Sequence, residues 1–232
     1  TISYKWLRNG LPFTQQGLFK DGVNGVNGLD GATNIAISTN GKFLYVSAVT
    51  DHSISWYQRD SYTGSLLYKG FIKDGINSVD GLNGAYSLAV SPDGKHLYAS
   101  GKSDHAISWY ELDAITGAPV FGGMLKDGQG GVNGLYNARK VVISPDGNHV
   151  YVAAASDDAI SWFERNTSNG ALTYLGLSKD GIGGVDGLDG AVGLAFSSNG
   201  NYLYSVSAAD DAIAWFDRNA SDGTLNYLGM LK

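Results

Sequence analysis

The sequence predicts an all-β chain, a β-propeller of four-stranded antiparallel blades, on three observations. Tryptophans stand at positions 56, 109, 162 and 215, each 53 residues from the last, inside the copied segments Ile54-Ser55-Trp56-Tyr57, Ile107-Ser108-Trp109-Tyr110, Ile160-Ser161-Trp162-Phe163 and Ile213-Ala214-Trp215-Phe216. The Lys-Asp-Gly at Lys20, Lys73, Lys126 and Lys179 keeps the same spacing. Glycine is abundant at 33 of 232 residues, Asn-Gly and Asp-Gly turns recur, and no long helical periodicity appears. A strict period of this length describes like units set side by side, so whatever one unit does its copies can repeat.

The second unit shows the elements in order. Ala85 to Ser91 is a short, largely apolar run suited to a strand buried on both faces. Pro92-Asp93-Gly94 is a tight turn, with proline fixing φ and glycine supplying positive φ. Lys95 to Ser100 forms a second strand and Ser103-Asp104-His105 a second turn. Ala106 to Leu112 alternates, with Ile107, Trp109 and Glu111 on one side and Ser108, Tyr110 and Leu112 on the other. Ile115-Thr116-Gly117 turns again, Ala118 to Leu125 is a fourth strand, and a Gly-rich connection over 126–137 leads onward. Four hairpin-linked strands per unit describe a propeller blade; coils of a β-solenoid are shorter, roughly 20 to 30 residues.

Calling the strands A to D from the axis outward, strand A occurs four times, opening near Ala32, Ala85, Ala138 and Ala191. Strands C and D occur five times, counting Tyr4 to Leu7 and Leu11 to Phe19. The chain therefore reads as one propeller domain over 1–232: an outer C–D hairpin at 1–20, then blades at 31–72, 84–125, 137–178 and 190–231. An orphan outer hairpin exposes a strand edge. A fragment of a longer protein, a small ring with an irregular fifth position, and a homo-oligomer such as a dimer sharing one ring all follow from that count; the oligomer is the favoured expectation.

The turn motifs carry a resemblance. Ser91-Pro92-Asp93-Gly94-Lys95-His96-Leu97-Tyr98 and Ser144-Pro145-Asp146-Gly147-Asn148-His149-Val150-Tyr151-Val152 resemble the hairpin of the lactonase-like, or YVTN-type, propeller families, with Ser38 to Gly41 and Ser197 to Gly200 as degenerate copies. The long Lys-Asp-Gly linker is similar to that of repetitive bacterial surface propellers. The resemblance implies a propeller. It also implies, for phosphogluconolactonase-type members, scattered His, Arg and Glu residues in a central channel; no such set maps onto this chain.

Composition narrows the partners. A net charge of −6 and a pI near 5.0 exclude attraction to nucleic acid or an anionic membrane surface. Cysteine is absent, which excludes a disulfide framework, a thiol nucleophile and a thiolate metal site. No apolar run reaches about 18 residues, so no membrane insertion is expected. The chain begins at Thr1, as a processed protein would, and an extracellular or secreted location is expected.

Two sets of polar residues stand out. The turns between strands B and C carry Asp51-His52, Asp104-His105, Asp157-Asp158 and Asp210-Asp211. The linkers carry oxygen-bearing side chains at every third residue between glycines, among them Asn24, Asn77, Asn133 and Asp186. Such residues tolerate left-handed backbone and cap their own turns; they could equally accept hydrogen bonds from sugar hydroxyls or ligate Ca²⁺. In a propeller both sets emerge on one face. The tryptophans, mid-strand and preceded by isoleucine, fit packing between blades better than sugar stacking. Arg59, Arg165 and Arg218 end strand C, replaced by Leu112 in the second unit, and read as exposed or cross-strand partners. Asn166-Thr-Ser168 and Asn219-Ala-Ser221 match glycosylation sequons within C–D turns, where Asn is expected anyway.

No nucleophile, base and orienter come together in the sequence: His96 and His149 follow the hairpin turn, His52 and His105 lie in loops, and the chain is nearly symmetric. The residues alone thus point to a non-enzymatic, multivalent, lectin-like protein. It would have one shallow carbohydrate site per repeat, glycans or glycoconjugates as partners, and no required cofactor, with Ca²⁺ as an option. The alternatives are a lactonase-like hydrolase with one central-channel site, marked by residues unique to one unit such as Arg139 and Lys140, and a structural or adhesive module of a larger surface protein.

Overall fold

Each 53-residue unit folds into one antiparallel sheet because its turns close locally. In the second unit, Ser91 Oγ donates to Asp93 Oδ1 at 2.6 Å, and Asp93 Oδ1 accepts from the Lys95 amide at 3.1 Å. The Gly94 amide donates to the Ser91 carbonyl with Gly94 at φ 73°, a left-handed position that glycine fills without a Cβ penalty. Asn40 and Asn199 replace the aspartate and accept the same two bonds. At the hairpin between the third and fourth strands, Asp60, Asp113, Asn166 and Asn219 cap the turn by accepting backbone amides from the residues just beyond. The sequon asparagines therefore stand where the other units carry aspartate.

The computed structural model describes residues 7–8, 11–12 and 18–232. Blade one contains β3 (Ala32–Ile37), β4 (Phe43–Ala48), β5 (Ser53–Arg59) and β6 (Leu66–Lys73), and blade two β7 (Ala85–Val90), β8 (His96–Gly101), β9 (Ala106–Leu112) and β10 (Pro119–Lys126). Blade three contains β11 (Ala138–Ile143), β12 (His149–Ala154), β13 (Ala159–Arg165) and β14 (Leu172–Lys179), and blade four β15 (Ala191–Phe196), β16 (Tyr202–Ser207), β17 (Ala212–Arg218) and β18 (Leu225–Leu231). The strands of every blade pair in sequence order, and no helix occurs among the described residues. The all-β propeller expected from the repeat is what the chain forms. Ahead of the blades, β1 (Leu7–Arg8) and β2 (Leu11–Pro12) pair with each other; the rest of the expected C and D strands over 1–17 lies outside the described residues.

The first strand of each blade stands beside the first strand of the next, around the axis. Thr33 Oγ1 donates to the Tyr86 carbonyl at 2.9 Å, Asn34 Oδ1 accepts the Leu88 amide at 3.0 Å, and Ser87 Oγ accepts the Val141 amide at 3.4 Å. Each of these strands opens with a bulge: the register shifts after Ala32, Ala85, Ala138 and Ala191, leaving Thr33, Tyr86, Arg139 and Val192 without a paired residue on the second strand.

The hydrophobic core lies in the seams between blades. The seam of blades two and three gathers Tyr98, Ile107 and Trp109 from one side and Val132, Leu135, Val141, Val150 and Phe163 from the other, and the other two seams repeat the pattern. The Trp109 ring covers Gly123 of the adjoining strand so closely that a Cβ there would lie 2.5 Å from Trp109 Cζ2. A second bulge, between Phe121 and Gly123, sits at this point.

Of the two roles expected for the strand-ending arginines, exposed or cross-strand partner, Arg165 and Arg218 take the second, reaching across the seam from buried positions. Arg165 is buried, with Nη2 donating to Asp93 Oδ2 at 2.8 Å and to His96 Nδ1 at 2.6 Å, Nε donating to Tyr98 Oη at 3.0 Å, and Nη1 donating to the Gly147 carbonyl at 3.0 Å. The Tyr98 hydroxyl donates onward to the Gly170 carbonyl at 2.8 Å. Arg218 repeats this with Asp146, His149 and Tyr151. A buried guanidinium survives because every neighbour accepts from it. Burial pushes the Asp93 carboxyl up, but bonds from Ser91, Arg165 and the Lys95 amide outweigh it and hold the group at about 2. Burial, and then the Arg165 charge, pull His96 below its usual range; His149 follows through Arg218. At the first seam the same places hold Asn40, Phe43 and Leu112, and Phe43 and Leu112 are buried together.

Candidate active site

The loop face is built by backbone capture. Asp51, Asp104, Asp157 and Asp210 each turn Oδ2 onto an amide of their own blade's linker: Asp30, Asn83, Tyr136 and Asp189, at 2.7 to 2.9 Å. The following residue reaches the next blade's linker instead. His52 Nδ1 accepts the Gly84 amide, His105 Nδ1 the Asn137 amide and Asp158 Oδ1 the Gly190 amide, at 2.9 to 3.0 Å. His52, His105, Asp158 and Asp211 all hold left-handed backbone, φ 52° to 55°, where Asn, Asp and His are the favoured non-glycine residues. The Lys-Asp-Gly motif belongs to the same fastening. Lys126 lies 3.6 Å from Asp104 and Lys232 2.9 Å from Asp210, while Asp74, Asp127 and Asp180 cap the amides of Leu82, Leu135 and Leu188.

The linker residues have structural placements too. Asn24 and Asn77 occupy left-handed positions at φ 54° and 53°, where the later units carry Gly130 and Gly183. Asn133 Oδ1 accepts the Gly134 amide at 2.8 Å, and the Asp186 backbone is bonded by Tyr227. Two acidic groupings arise, Asp74 with Asp80 and Asp104, and Asp180 with Asp186 and Asp210, their carboxylate oxygens within 4.8 Å of one another. Burial first, and then the Asp104 and Asp80 charges, push the Asp74 carboxyl up against the Leu82 amide. Such oxygens suit a hard cation; here Lys126 and Lys232 already bring positive charge to each grouping.

The repetition breaks at the axis. The bulged position of the innermost strand carries Thr33, Tyr86, Arg139 and Val192, and the next position Asn34, Ser87, Lys140 and Gly193. A bulge aims an extra side chain out of the ladder, a device common beside active sites. Arg139 lies over the Tyr86 ring, 4.8 Å from guanidinium carbon to centroid, and its Nε donates to Asn137 Oδ1 at 3.0 Å. Asn137 Nδ2 donates to Ser156 Oγ at 3.0 Å. His105 stacks on Tyr136 with centroids 3.9 Å apart. Because its Nδ1 accepts the Asn137 amide, the neutral ring carries its proton on Nε2. Tyr86, Arg139, Asn137, His105 and Tyr136 are thus linked by contact in one place, with Lys140 next along the strand, and none of the other described blades reproduces the set. Lys140 and Arg139 are half-buried, so their charges act where solvent screening is reduced.

The sequence matches the family described as lactonase, seven-bladed β-propeller, over residues 6–118 and again over 72–185. The chain belongs to this family. Among solved structures, the lactonase-family chain is similar to a periplasmic gluconolactonase of Pseudomonas aeruginosa (16% identity, TM-score 0.69, 86% of this chain and 53% of that one). It is also similar to a protein from Lactobacillus plantarum (19%, TM-score 0.72, 86% and 57%) and to a candidate 6-phosphogluconolactonase from Bacteroides uniformis (20%, TM-score 0.69, 84% and 53%). A curated relative from Lactococcus lactis subsp. cremoris, with no assigned function, is 24% identical over 143 residues, 62% of this chain and 40% of its own length. The lactonase-family chain thus spans about half the length of the proteins it matches.

These matches correct the lectin expectation and, with it, the expectation of a non-enzyme: the family is a lactonase family and its named neighbours are gluconolactonases. The physical reason for the misreading is that the repeated acids carry the strongest repeated polarity in the sequence, while in the fold their oxygens face backbone amides. Tyr86 went unnoticed, and Arg139 and Lys140 stood only in the alternative. Aligning the four units shows these two columns varying inside an otherwise copied strand.

Proposed function

We propose that this chain supplies four blades of a lactone-hydrolysing propeller whose substrate site lies on the axis against Arg139, Lys140 and Tyr86. The observation that carries the reading is the single cationic bulge: Arg139 is held over Tyr86 and by Asn137, at a position where the other units carry neutral residues. Family membership supports the reaction class. In lactone hydrolysis, water adds to the ring carbonyl, the carbonyl oxygen becomes an oxyanion, and the ring C–O bond then breaks to give an acid and an alcohol. Fixed cations beside that oxygen stabilise the charge as it develops, and a guanidinium fork also orients an anionic substituent on the substrate. The His105 Nε2–H adds a neutral donor at the same rim. Export from the cytoplasm belongs to the same proposal, supported by the periplasmic neighbour, with an extracellular or secreted location as its finer form; cell fractionation tests it.

The test uses the full-length gene product. Gluconolactone and 6-phosphogluconolactone are offered separately and proton release is followed at constant pH. Hydrolysis above the buffer rate is expected with at least one, and Arg139→Met lowers kcat/KM by at least about 100-fold without moving the unfolding midpoint. No hydrolysis of either lactone, or an Arg139→Met enzyme with full kcat/KM, overturns the proposal.

A further inference from the structure

Asn137 breaks the repeat two residues before Arg139. The other units carry Gly31, Gly84 and Gly190 at its place, at φ 70°, 70° and 68°, and Asn137 takes the same left-handed backbone at φ 62°. Glycine suits this place. A Cβ on Gly84 would lie 2.7 Å from Ser103 Oγ, and one on Gly190 3.0 Å from the Ala209 amide nitrogen. With a side chain present, the adjoining turn gives way slightly: the Ala155 amide meets the Asn137 carbonyl at 3.2 Å, against 2.9 to 3.0 Å for the same bond at the three glycines. A non-glycine residue held in left-handed backbone is a local cost, and such costs gather at functional sites.

Both ends of the asparagine amide have partners. Oδ1 accepts from Arg139 Nε at 3.0 Å, and Nδ2 donates to Ser156 Oγ at 3.0 Å. Ser156 is the counterpart of Ser103, so the hydroxyl that would crowd a side chain on Gly84 anchors one here. The backbone fastening does not depend on the side chain. The Asn137 amide donates to His105 Nδ1 just as the Gly84 amide does to His52 Nδ1 and the Gly190 amide to Asp158 Oδ1. What asparagine adds over glycine is therefore a hold on Arg139. The units that keep glycine carry Thr33, Tyr86 and Val192 at the arginine's position and have no guanidinium to hold.

We propose that Asn137 is a positioning residue for Arg139, an inference that rests on the substrate site argued above. The Tyr86 ring, 4.8 Å from centroid to guanidinium carbon, confines the group from one side, and the bond from Nε to Asn137 fixes the direction in which it points. Nη1 and Nη2 are left as a set fork for substrate oxygens. Arginine ordinarily loses rotamer freedom when it engages a ligand; here that freedom is already restricted before the substrate arrives.

Asn137→Gly in the full-length gene product is the test, because it restores the residue of the other units, keeps the amide that bonds His105 and removes only the side chain. Solvent exchange of the Arg139 Nε–H, followed by nitrogen-edited NMR and assigned by its loss in Arg139→Met, is expected to speed up at least about 10-fold. The kcat/KM for whichever of the two lactones is hydrolysed is expected to fall at least about 10-fold, while the unfolding midpoint stays within about 3 °C. Asn137→Asp keeps an acceptor for Nε and is expected to keep the slow exchange. An Asn137→Gly protein with unchanged exchange or unchanged kcat/KM overturns the proposal. So does one whose midpoint falls by more than about 3 °C, since the residue would then be structural. If the wild-type protein hydrolyses neither lactone, the functional reading falls by itself, and the exchange measurement still decides whether Asn137 holds Arg139.

Discussion

Arg165 of blade three places its Nη2 2.8 Å from the Asp93 carboxylate of blade two, across a seam and 72 residues back along the chain. The guanidinium is almost wholly buried, and its remaining bonds go to His96, Tyr98 and the Gly147 carbonyl. A long-range pair of this kind ties blade to blade with a directional contact that apolar packing alone does not provide.

Truncating that arginine leaves a carboxylate and an imidazole facing an emptied seam. Arg165→Ala is expected to cost about 3–5 kcal/mol, read as a lower denaturation midpoint. Arg59→Ala in the same chain, where the side chain is half-buried, costs under about 1 kcal/mol.

Acid acts on these seams in two windows. His96 and His149 are depressed below 6.5 in the folded chain, so the unfolded chain takes up protons first. Their contribution is full above pH 6.5 and is lost as pH falls below it. Asp93, at about 2 folded against 3.8 unfolded, contributes above 3.8 and loses that contribution between 3.8 and about 2. Thermal midpoints measured against pH should fall in both windows. Replacing both histidines by glutamine should flatten the upper window and leave the lower one.

Gly123 has no room for a methyl group, because a Cβ would meet the Trp109 ring at 2.5 Å. Gly123→Ala is expected to destabilise by about 1–3 kcal/mol and to shift tryptophan emission. Gly128→Ala, with nothing within 4 Å but φ of 72°, should cost only the left-handed penalty of about 1 kcal/mol and leave emission unchanged.

On the loop face, Asp104→Ala removes the acceptor of the Asn83 amide and the partner of Lys126. A loss of about 1–2 kcal/mol is expected, seen as faster amide exchange across 80–84. His105→Asn retains a side-chain acceptor and tolerance of left-handed φ, and should be milder than His105→Ala, which retains neither.

The blades were legible because what makes them is local. The tryptophan period, the Ser-Pro-Asp-Gly turns and the alternation of residues 106–112 act within a few residues of one another. The site was less legible because its partners are distant. Asp104 looks like a free ligand until the Asn83 amide, 21 residues away, is seen to occupy it. Arg165 reads as either exposed or a cross-strand partner until Asp93 is found opposite. The joint change from Asp93, His96 and Arg165 to Asn40, Phe43 and Leu112 was present in the sequence as a correlation, but reading it requires knowing which blade faces which. Arg139 and Lys140 were visible as departures from the repeat; the bulge that sets Arg139 over Tyr86 was not.

The seam pairs also restrict how such a gene can grow. Blade three carries Arg165 on one face and Asp146 with His149 on the other, so a tandem duplicate of it would dock on its own parent. Blade two, with Leu112 on one face and Asp93 with His96 on the other, would meet its duplicate with a carboxylate opposite leucine. Unequal recombination can therefore lengthen this array by copying blade three, whereas copying blade two demands compensating substitutions before the new unit can be tolerated.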